Sequence, residues 1–530
     1  MIASRPLAYY VAVAALLVVG FVLLLPVAAV YFWAFAADGV IAQESLFQLS
    51  RQVPLLMRSL AVGGGAATIA LILGVCVGAA AMRATPFVRK VMGLACATSL
   101  LTPPYVFAIA WIDLWGPSGW FHYWAPMETM RPGDTVYSVP GAAIALAAAY
   151  YPIVAIATYV ALRRVDHRWQ EAASVSGRSS SYFTNISLPV IIRPIAAGFV
   201  VVFLLAIYDF PVHSLLQVNT YLVEIHAASE YHDYRAAALL SLPLVILASA
   251  LLAGGNALIR PRHNYANSGI AREYSIPHSP RRIAWLCTGW AIILIASILP
   301  LITITIRAMP PSTFARLIET AWQELCTSVL LAATAATFIV LLGTMSATVL
   351  QHSRARAAAN VISAVPFLIS GPLLGLGLIA VYNHAGPLGL VYDSAAILLL
   401  AWVARYAFIA QWGIGAGVRG QAPSGCEAAR VAGVSWVRMQ LGVVIAQALP
   451  YIAMVWGAAF VLTFREIDTA VLVAPPGMTL ASVRLFTLMH YGPDGYVMAM
   501  ALTMSTVMIG VGVVIYGLFA RWKRIPHART

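Results

Sequence analysis

About twelve apolar stretches, each long enough to cross a lipid bilayer, follow one another along this chain of 530 residues. A helix needs about 20 apolar residues to span the hydrocarbon core of a membrane. The chain is 61% hydrophobic and only 10% charged, and a soluble protein could not keep that much apolar surface out of water. The sequence therefore predicts an all-α polytopic membrane protein. The predicted spans lie near residues 8–35, 60–82, 92–112, 140–162, 195–217, 236–258, 283–305, 327–350, 358–381, 394–416, 446–466 and 496–520.

The positive charge of the chain lies in short loops between these stretches. The net charge is +13, but the basic residues form no separate domain, so we expect membrane lipid and no nucleic acid as a partner. Placing the N-terminus in the cytoplasm puts most Lys and Arg residues on the cytoplasmic side, among them Arg83, Arg163, Arg354 and Arg521. Acidic stretches such as 113–134 then face outward. By the positive-inside rule, both termini are predicted to be cytoplasmic.

Two similar polar segments interrupt the apolar pattern. Glu171-Ala-Ala-Ser-Val-Ser-Gly177 lies between the fourth and fifth stretches, and Glu427-Ala-Ala-Arg-Val-Ala-Gly433 lies in the matching gap of the second half. Glu and Ala favour helices, and a glycine can end a helix in the left-handed conformation. Each segment therefore predicts a short helix at the membrane surface that ends at its glycine. With the predicted orientation, both face the cytoplasm.

The halves also match elsewhere, since residues 59–68 resemble residues 328–337. We therefore divide the chain into a first repeat, 1–259, an arginine-rich cytoplasmic linker, 260–282, and a second repeat, 283–530. With six spans each, the repeats have the same orientation and are related by a pseudo-twofold axis along the membrane normal. A translocation path is then expected between the halves.

The polar segments resemble the EAA loop of permease subunits in binding-protein-dependent ABC importers: Glu-Ala-Ala, a glycine four positions later, and an Ile-x-Leu-Pro exit. The first copy has this exit. The second has Gly442, Val444 and Ile445 in its place, and the match recovers where Pro450 aligns with Pro194. The positions to which the resemblance assigns ATPase coupling are Glu171, Ala172, Ala173, Gly177, Ile186, Leu188, Pro189, Glu427, Ala428, Ala429 and Gly433.

The resemblance implies the type I permease fold, with about twelve transmembrane helices as two parallel six-helix repeats in the bacterial cytoplasmic (inner) membrane. It also implies two copies of an ATPase subunit on the cytoplasmic side and an external substrate-binding protein. The chain has no Gly-x-x-x-x-Gly-Lys phosphate loop, so ATP and Mg would be held by the partner ATPase. A transport subunit without its own enzymatic activity, cofactor or metal is expected.

The fused arrangement and residues 220–242 and 464–488 most resemble the iron(III) permease group. Permeases for thiamine, phosphonate or polyamine are the alternatives within the same mechanism. From another class, an ion-coupled secondary transporter with two six-helix halves would also show a parallel repeat, but it would not need paired EAA loops. A membrane-embedded enzyme is the third alternative, and the sequence shows no catalytic cluster for it.

Four charged residues lie within or beside the apolar stretches. Arg405 lies in the middle of the tenth stretch, Asp209 near the outer end of the fifth, and Glu466 and Asp468 at the end of the eleventh. A charge at the centre of a membrane helix costs roughly 2.5–3.5 kcal/mol on insertion scales. We therefore expect Arg405 to pair with Glu466 or Asp468. These residues either line the translocation path or an external gate, or fix the packing of the helices.

Two further patterns have alternative interpretations. Residues 213–234 are rich in His, Tyr and carboxylates, which suit a hard metal ion, but their spacing is irregular and an amphipathic interfacial helix would also explain them. Glycines in the second span and its repeat indicate either a hinge or close helix packing, and we favour packing. These glycines are Gly63, Gly64, Gly65, Gly74, Gly78 and Gly343.

Overall fold

The computed structural model describes residues 7–36, 49–117, 119–120, 135–163, 188–259, 280–350, 356–421 and 423–522. Within these ranges the secondary structure is helical, and no strand occurs. Nine of the described helices are long and apolar enough to cross a membrane, and up to eleven spans result if each of two bent helix pairs is one span. The predicted all-α polytopic class is confirmed, and the number twelve stays a prediction.

The two halves have similar orders of helices. The first half contains α1 (Leu7–Ala36), α2 (Leu49–Arg83), α3 (Pro86–Leu101), α4 (Pro104–Trp115), α5 (Val139–Arg163), α6 (Leu188–Ile207), α7 (Phe210–Leu215), α8 (Tyr221–Glu230) and α9 (Tyr234–Ile259). The second half contains α10 (Pro280–Ile293), a π-helical turn (Leu294–Ile298), α11 (Leu299–Ala308), α12 (Pro311–Leu350), α13 (Arg356–Leu368), α14 (Gly371–Tyr382), α15 (Pro387–Tyr392), α16 (Ala396–Arg419), α17 (Pro423–Val431), α18 (Trp436–Met439), a second π-helical turn (Gln440–Ile445), α19 (Ala446–Phe464), α20 (Ala470–Val473), α21 (Ala481–Met489) and α22 (Gly495–Trp522).

The apolar stretches predicted as spans near 92–112 and 358–381 each form a sharply bent pair of helices. Helices α3 and α4 meet at 94°, and α13 and α14 meet at 100°. Pro103 and Pro104 lie at the first bend, and Gly371 and Pro372 lie at the second. Proline has no N–H and fits only the first turn of a helix, so it starts a new helix rather than continuing the old one.

The fifth span is also shorter than predicted. Helix α6 ends at Ile207 rather than near residue 217, and α7 begins at Phe210 after a two-residue break. The carboxylate of Asp209 accepts a hydrogen bond from the N–H of Val212 at 3.3 Å. This bond caps the new helix, because the first N–H groups of a helix have no partner within it.

Matching hydrogen bonds hold a short helix against the long second span in each half. In the first half, the Ser59 hydroxyl accepts from the N–H of Tyr221 at 2.9 Å. In the second half, the Ser328 hydroxyl accepts from the N–H of Ala481 at 2.9 Å. Both serines lie at the same position of the repeated segment noted in the sequence. They fix the first residues of α8 and α21.

An ion pair further along each short helix strengthens this attachment, with the charges exchanged between the halves. Arg51 of α2 lies 2.7 Å from Glu224 of α8. In the second half the acidic partner is on the long helix, where Glu324 of α12 pairs with Arg484 of α21. The short helix is therefore attached to the long helix by different residues in the two halves. A comparison of the two half-sequences does not detect this ion pair.

Helices α1 and α11, from the first apolar stretch of each half, pack against the other half. Helix α1 contacts α14 so closely that a Cβ added at Gly377 would lie 2.1 Å from the carbonyl oxygen of Pro26. Helix α11 contacts α4, and Arg307 lies 2.9 Å from the buried carboxylate of Asp113. Each half therefore contributes one helix that packs on the other half, in addition to the contacts between their facing surfaces.

Helix α2 packs against α5 at a point where only glycine fits. A Cβ at Gly74 would lie 2.6 Å from Val154 Cβ, 2.8 Å from the backbone N of Ala155 and 2.8 Å from the carbonyl oxygen of Tyr151. Backbone atoms cannot move aside without displacing the helix. The geometry at Gly74 supports close helix packing rather than a hinge.

We expect Gly74→Val to destabilise the protein by about 1–3 kcal/mol, because the added side chain overpacks a helix contact. The apparent melting temperature of the purified protein in detergent measures this. Gly64→Val is the matched control on the same helix, since a Cβ there would meet no atom within 4 Å. Equal melting temperatures of the two variants would contradict the packing interpretation.

Candidate functional site

Two regions at opposite ends of the molecule carry the residues selected from the sequence. Following the orientation predicted from charge, we call the end with α17 the cytoplasmic end and the end with α8 and α21 the outer end. The segment Trp436–Phe464 has 29 residues and separates α17 from the loop that holds Glu466. At 1.5 Å per residue this corresponds to about 43 Å.

Arg405, on α16, is the centre of a buried ion network. Its Nη1 donates to Glu466 Oε1 at 2.9 Å, and its Nη2 donates to Asp468 Oδ2 at 3.0 Å. All three residues are more than nine-tenths buried. The prediction that Arg405 pairs with Glu466 or Asp468 is confirmed, and it pairs with both.

Glu466 joins this network to the start of α20. Its Oε2 accepts from Trp402 Nε1 at 3.1 Å. Its Oε1 accepts from the N–H of Thr469 at 2.8 Å, and its Oε2 accepts from the N–H of Ala470 at 3.2 Å. With Arg405, each carboxylate oxygen accepts two hydrogen bonds, which compensates for the loss of water around a buried charge.

A glycine at the bend between α13 and α14 makes room for this network. A Cβ at Gly371 would lie 2.1 Å from Arg405 Nη1 and 2.5 Å from the Cβ of Asp468. Any other residue would displace the guanidinium group from its carboxylates. The bend, α16 and the loop after α19 therefore meet at Arg405.

The first half contributes Asp209 at the corresponding place after α6. Asp209 Oδ2 accepts a hydrogen bond from the Tyr150 hydroxyl at 2.9 Å. From the other half, Arg465 Nη2 lies 3.5 Å from the same hydroxyl, and its guanidinium carbon lies 5.8 Å from the centre of the Tyr150 ring. A guanidinium group near a tyrosine ring is attracted to it. Tyr150 therefore links charged residues of the two halves.

A cavity of about 80 Å³ lies among these groups. Tyr105, Tyr150 and Asp209 line it from the first half, and Arg405 and Arg465 line it from the second. Within the described part of the chain, the buried hydroxyl of Tyr105 has no hydrogen-bond partner. A polar cavity of this size holds a few waters or one small polar group.

A second set of contacts joins the halves nearer the outer end. The rings of Phe210 and Phe486 have centroids 5.8 Å apart, and Ser214 Oγ lies 3.3 Å from His490 Nε2. We call these four residues the outer contact layer. They lie on α7 and at the end of α21, so the layer is formed equally by both halves.

Two buried histidines lie behind this layer. The ring of His226 packs on Phe210 with centroids 3.8 Å apart, and His213 accompanies Phe210 on α7. Burial lowers the pKa of both imidazoles to about 4. Because burial disfavours the charged form of histidine, both are neutral at pH 7. The first half therefore supports the layer with uncharged aromatic packing.

At the cytoplasmic end, the second Glu-Ala-Ala segment forms α17. Gly433 follows it with φ of +71°. The N–H of Val434 donates to Ala429 O at 3.0 Å, and the N–H of Gly433 donates to Arg430 O at 3.1 Å. These two bonds form the Schellman motif, which ends a helix at a left-handed glycine. The short helix and glycine exit predicted for this segment are confirmed.

Glu427 and Val431 lie four residues apart, on one face of α17. Val431 is 90% exposed, and the side chain of Glu427 is also exposed. Val437 and Leu441 are exposed as well, but they lie in the candidate membrane span Trp436–Phe464, where contact with lipid is expected. The exit positions Gly442, Val444 and Ile445 lie in the π-helical turn Gln440–Ile445, so the helix continues there where the first copy has its proline.

The first Glu-Ala-Ala segment lies outside the described residues, with Glu171, Ala172, Ala173, Gly177 and Ile186. Only the last two positions of its motif are described. Leu188 and Pro189 are the first residues of α6.

Residues 213–234 are partly buried. Tyr221 and His226 are buried on α8, whereas Tyr231 is 84% exposed, so burial in the protein accounts for the first two of these side chains. Glu224 pairs with Arg51. Across the described residues, no three His, Cys, Asp or Glu side chains form a group that could hold a metal ion.

Several residues of the site were not predicted from the sequence, among them Tyr150, Trp402 and Gly371. Tyr150 and Tyr406 hold matching positions in the fourth spans of the two halves, and this match was the signal available for Tyr150. Trp402 lies one helical turn before Arg405 and faces the same side of α16. Gly371 begins α14, where the bend was not expected.

The comparison with known families concerns mainly the first half. Residues 70–265 match the family described as binding-protein-dependent transport system inner membrane component. The match supports an ABC importer permease. It runs from α2 to the region after α9 and includes the first Glu-Ala-Ala segment. No curated protein matches the chain.

Proposed function

We propose that this chain forms the translocation path of an ATP-driven import system, with substrate delivered by an external binding protein and ATP hydrolysed by two separate ATPase subunits. The family match of residues 70–265 carries this proposal. The exposed helix α17 with Glu427 supports it, because a surface helix with a capped end suits a docking element. The charged contact between the halves supports a path at their interface.

Iron(III) is the proposed substrate. The support is the resemblance of residues 220–242 and 464–488 to the iron(III) permease group. In this protein those residues form α8, the start of α9, the loop that holds Glu466 and Asp468, α20 and most of α21. They therefore include the two carboxylates of the ion network and one residue of the outer contact layer, Phe486. Thiamine, a phosphonate or a polyamine would use the same mechanism.

The mechanism is alternating access between the halves. The outer contact layer and the Asp209–Tyr150–Arg465 contact close the path toward the outside. Closure of the ATPase subunits would act on α17 and on the Glu171 segment of the first half and separate the halves at the outer end. Binding at these two segments shifts the equilibrium only if the ATPase binds one state more tightly than the other.

We expect Glu171→Ala and Glu427→Ala each to weaken ATPase association about thirtyfold or more. Removing one partner of a buried interfacial charge contact costs roughly 2–5 kcal/mol, and both glutamates are proposed to enter such an interface. Co-purification of the ATPase with the tagged permease measures the effect. Glu319→Ala is the matched control, because Glu319 is exposed at the outer part of α12. Normal ATPase recovery with the double variant would contradict the proposed coupling role.

The whole proposal is tested on the complex purified with its ATPase and binding protein. Iron(III) bound stoichiometrically to the binding protein, and ATPase activity stimulated by its loaded form, are the expected results. Another ligand on the binding protein would replace iron(III) and keep the mechanism. Uptake that follows a proton gradient, with no ATPase in the complex, would overturn the proposal in favour of a secondary transporter.

A further inference from the structure

Two exposed tyrosines occupy equivalent tips of the two halves. Tyr231 follows α8 and is 84% exposed, and Tyr491 follows α21 and is 87% exposed. Tyr231 lies ten residues after Tyr221, whose N–H donates to Ser59. Tyr491 lies ten residues after Ala481, whose N–H donates to Ser328. They are therefore a feature of the repeat.

The backbone around both tyrosines has the same design. The next residue has a positive φ in each case, 55° at His232 and 113° at Gly492. An aspartate then caps the following helix: Asp233 accepts from the N–H of Ala236 at 2.9 Å, and Asp494 accepts from the N–H of Val497 at 2.7 Å. Both tyrosines are thus held on tight turns between two helices.

These tips project beyond the charged level of the outer end. Each short helix runs outward along its long partner, past the pair Arg51–Glu224 in the first half and Glu324–Arg484 in the second. Charged side chains are rare in the hydrocarbon region, so these pairs indicate the outer edge of the membrane-spanning part. Tyr231 and Tyr491 follow beyond the pairs, at the outer tip of each half.

Each tip is also joined to the contacts that close the path. Tyr491 directly follows His490, and α21 carries Phe486, so one short helix holds both a tip and half of the outer contact layer. In the first half, α8 carries His226, whose ring packs on Phe210 at 3.8 Å. Each tip is therefore connected through one short helix to the layer.

We propose that Tyr231 and Tyr491 are twin anchors for the external binding protein, one for each of two comparable surfaces of that protein, and that their occupation loosens the outer contact layer. Tyrosine supplies a large contact area at low conformational cost and is enriched among the residues that dominate binding energy. Two equivalent anchors fit a partner that spans the pseudo-twofold axis. This inference rests on the proposed function.

The test uses the complete importer in lipid nanodiscs, with ATPase activity measured against the concentration of loaded binding protein. Tyr231→Ala and Tyr491→Ala should each raise the concentration for half-maximal stimulation by about tenfold, and the double variant should raise it further. Basal ATPase activity should not change. Tyr231→Phe and Tyr491→Phe should behave like the unmodified protein, because the ring is retained.

Tyr516→Ala is the matched control, since Tyr516 is exposed near the cytoplasmic end of α22. An unchanged stimulation curve for the double alanine variant would overturn the inference and leave the proposed function intact. Absence of stimulation in the unmodified complex would overturn the proposed function, and the inference with it. A lower maximal stimulation in the double variant at saturating binding protein would support the link from anchors to the outer contact layer.

Discussion

Replacing Arg405 by methionine is expected to destabilise the protein by about 3–5 kcal/mol. The substitution keeps much of the side-chain volume but leaves Glu466 and Asp468 buried without a cation. Breaking a buried ion pair by removing one partner has a cost of this size, because the remaining charge has lost both water and its counterion. Thermal unfolding in detergent and the yield of folded protein measure the effect.

An exposed ion pair provides the control for this substitution. Arg51→Met removes the partner of Glu224, but the Arg51 side chain is 45% exposed, and exposed pairs contribute only about 0–1 kcal/mol. A similar loss for the two variants would show that burial does not determine the contribution of the Arg405 network.

The triple variant Arg405→Met, Glu466→Gln, Asp468→Asn distinguishes the two roles considered for these residues. It removes the uncompensated charges, so it should recover much of the stability lost in Arg405→Met. If the network serves only helix packing, transport by the stable triple variant should be near normal. If the network belongs to the path or its gate, the triple variant should be stable and defective in transport.

The pairing of Arg405 could be predicted because a charge within an apolar span must be compensated, and few charged residues are available at that depth. The roles of Tyr150 and Trp402 could not be predicted in this way. Aromatic residues are common in apolar spans and need no partner, so their hydrogen bonds to Asp209 and Glu466 depend on the positions of other helices. Sequence periodicity does not determine these positions.

The all-helical class followed from hydrophobicity, but the bends did not. Hydropathy averages over a window and cannot distinguish a straight span from two shorter helices at 94° or 100°. The sequence contains proline and glycine at these positions, but Pro450 lies within α19 and does not interrupt that helix. Whether a proline breaks a membrane helix depends on whether neighbouring groups satisfy the freed backbone atoms, which is a property of the fold.

Covalent cross-linking of the outer contact layer is expected to abolish transport. Cysteines at Ser214 and His490, whose side chains lie 3.3 Å apart, can be joined by a short thiol-specific cross-linker that a reducing agent cleaves. The five native cysteines are first replaced by alanine, because Cys287 and Cys326 are exposed. Substrate uptake by the reconstituted importer should fall more than tenfold on cross-linking and return on reduction.

The reason is that alternating access requires the halves to separate at the outer end, and no difference in ATPase affinity between two states can break a covalent bond. Cysteines at Arg51 and Glu224 are the matched control. These residues are also close, at 2.7 Å, but they join α2 and α8 within one half, which is expected to move as a unit. Cross-linking this pair should leave uptake unchanged. Full uptake with the Ser214–His490 pair completely cross-linked would mean that the substrate passes without opening this layer, and the path would then have to lie elsewhere than between α7 and α21.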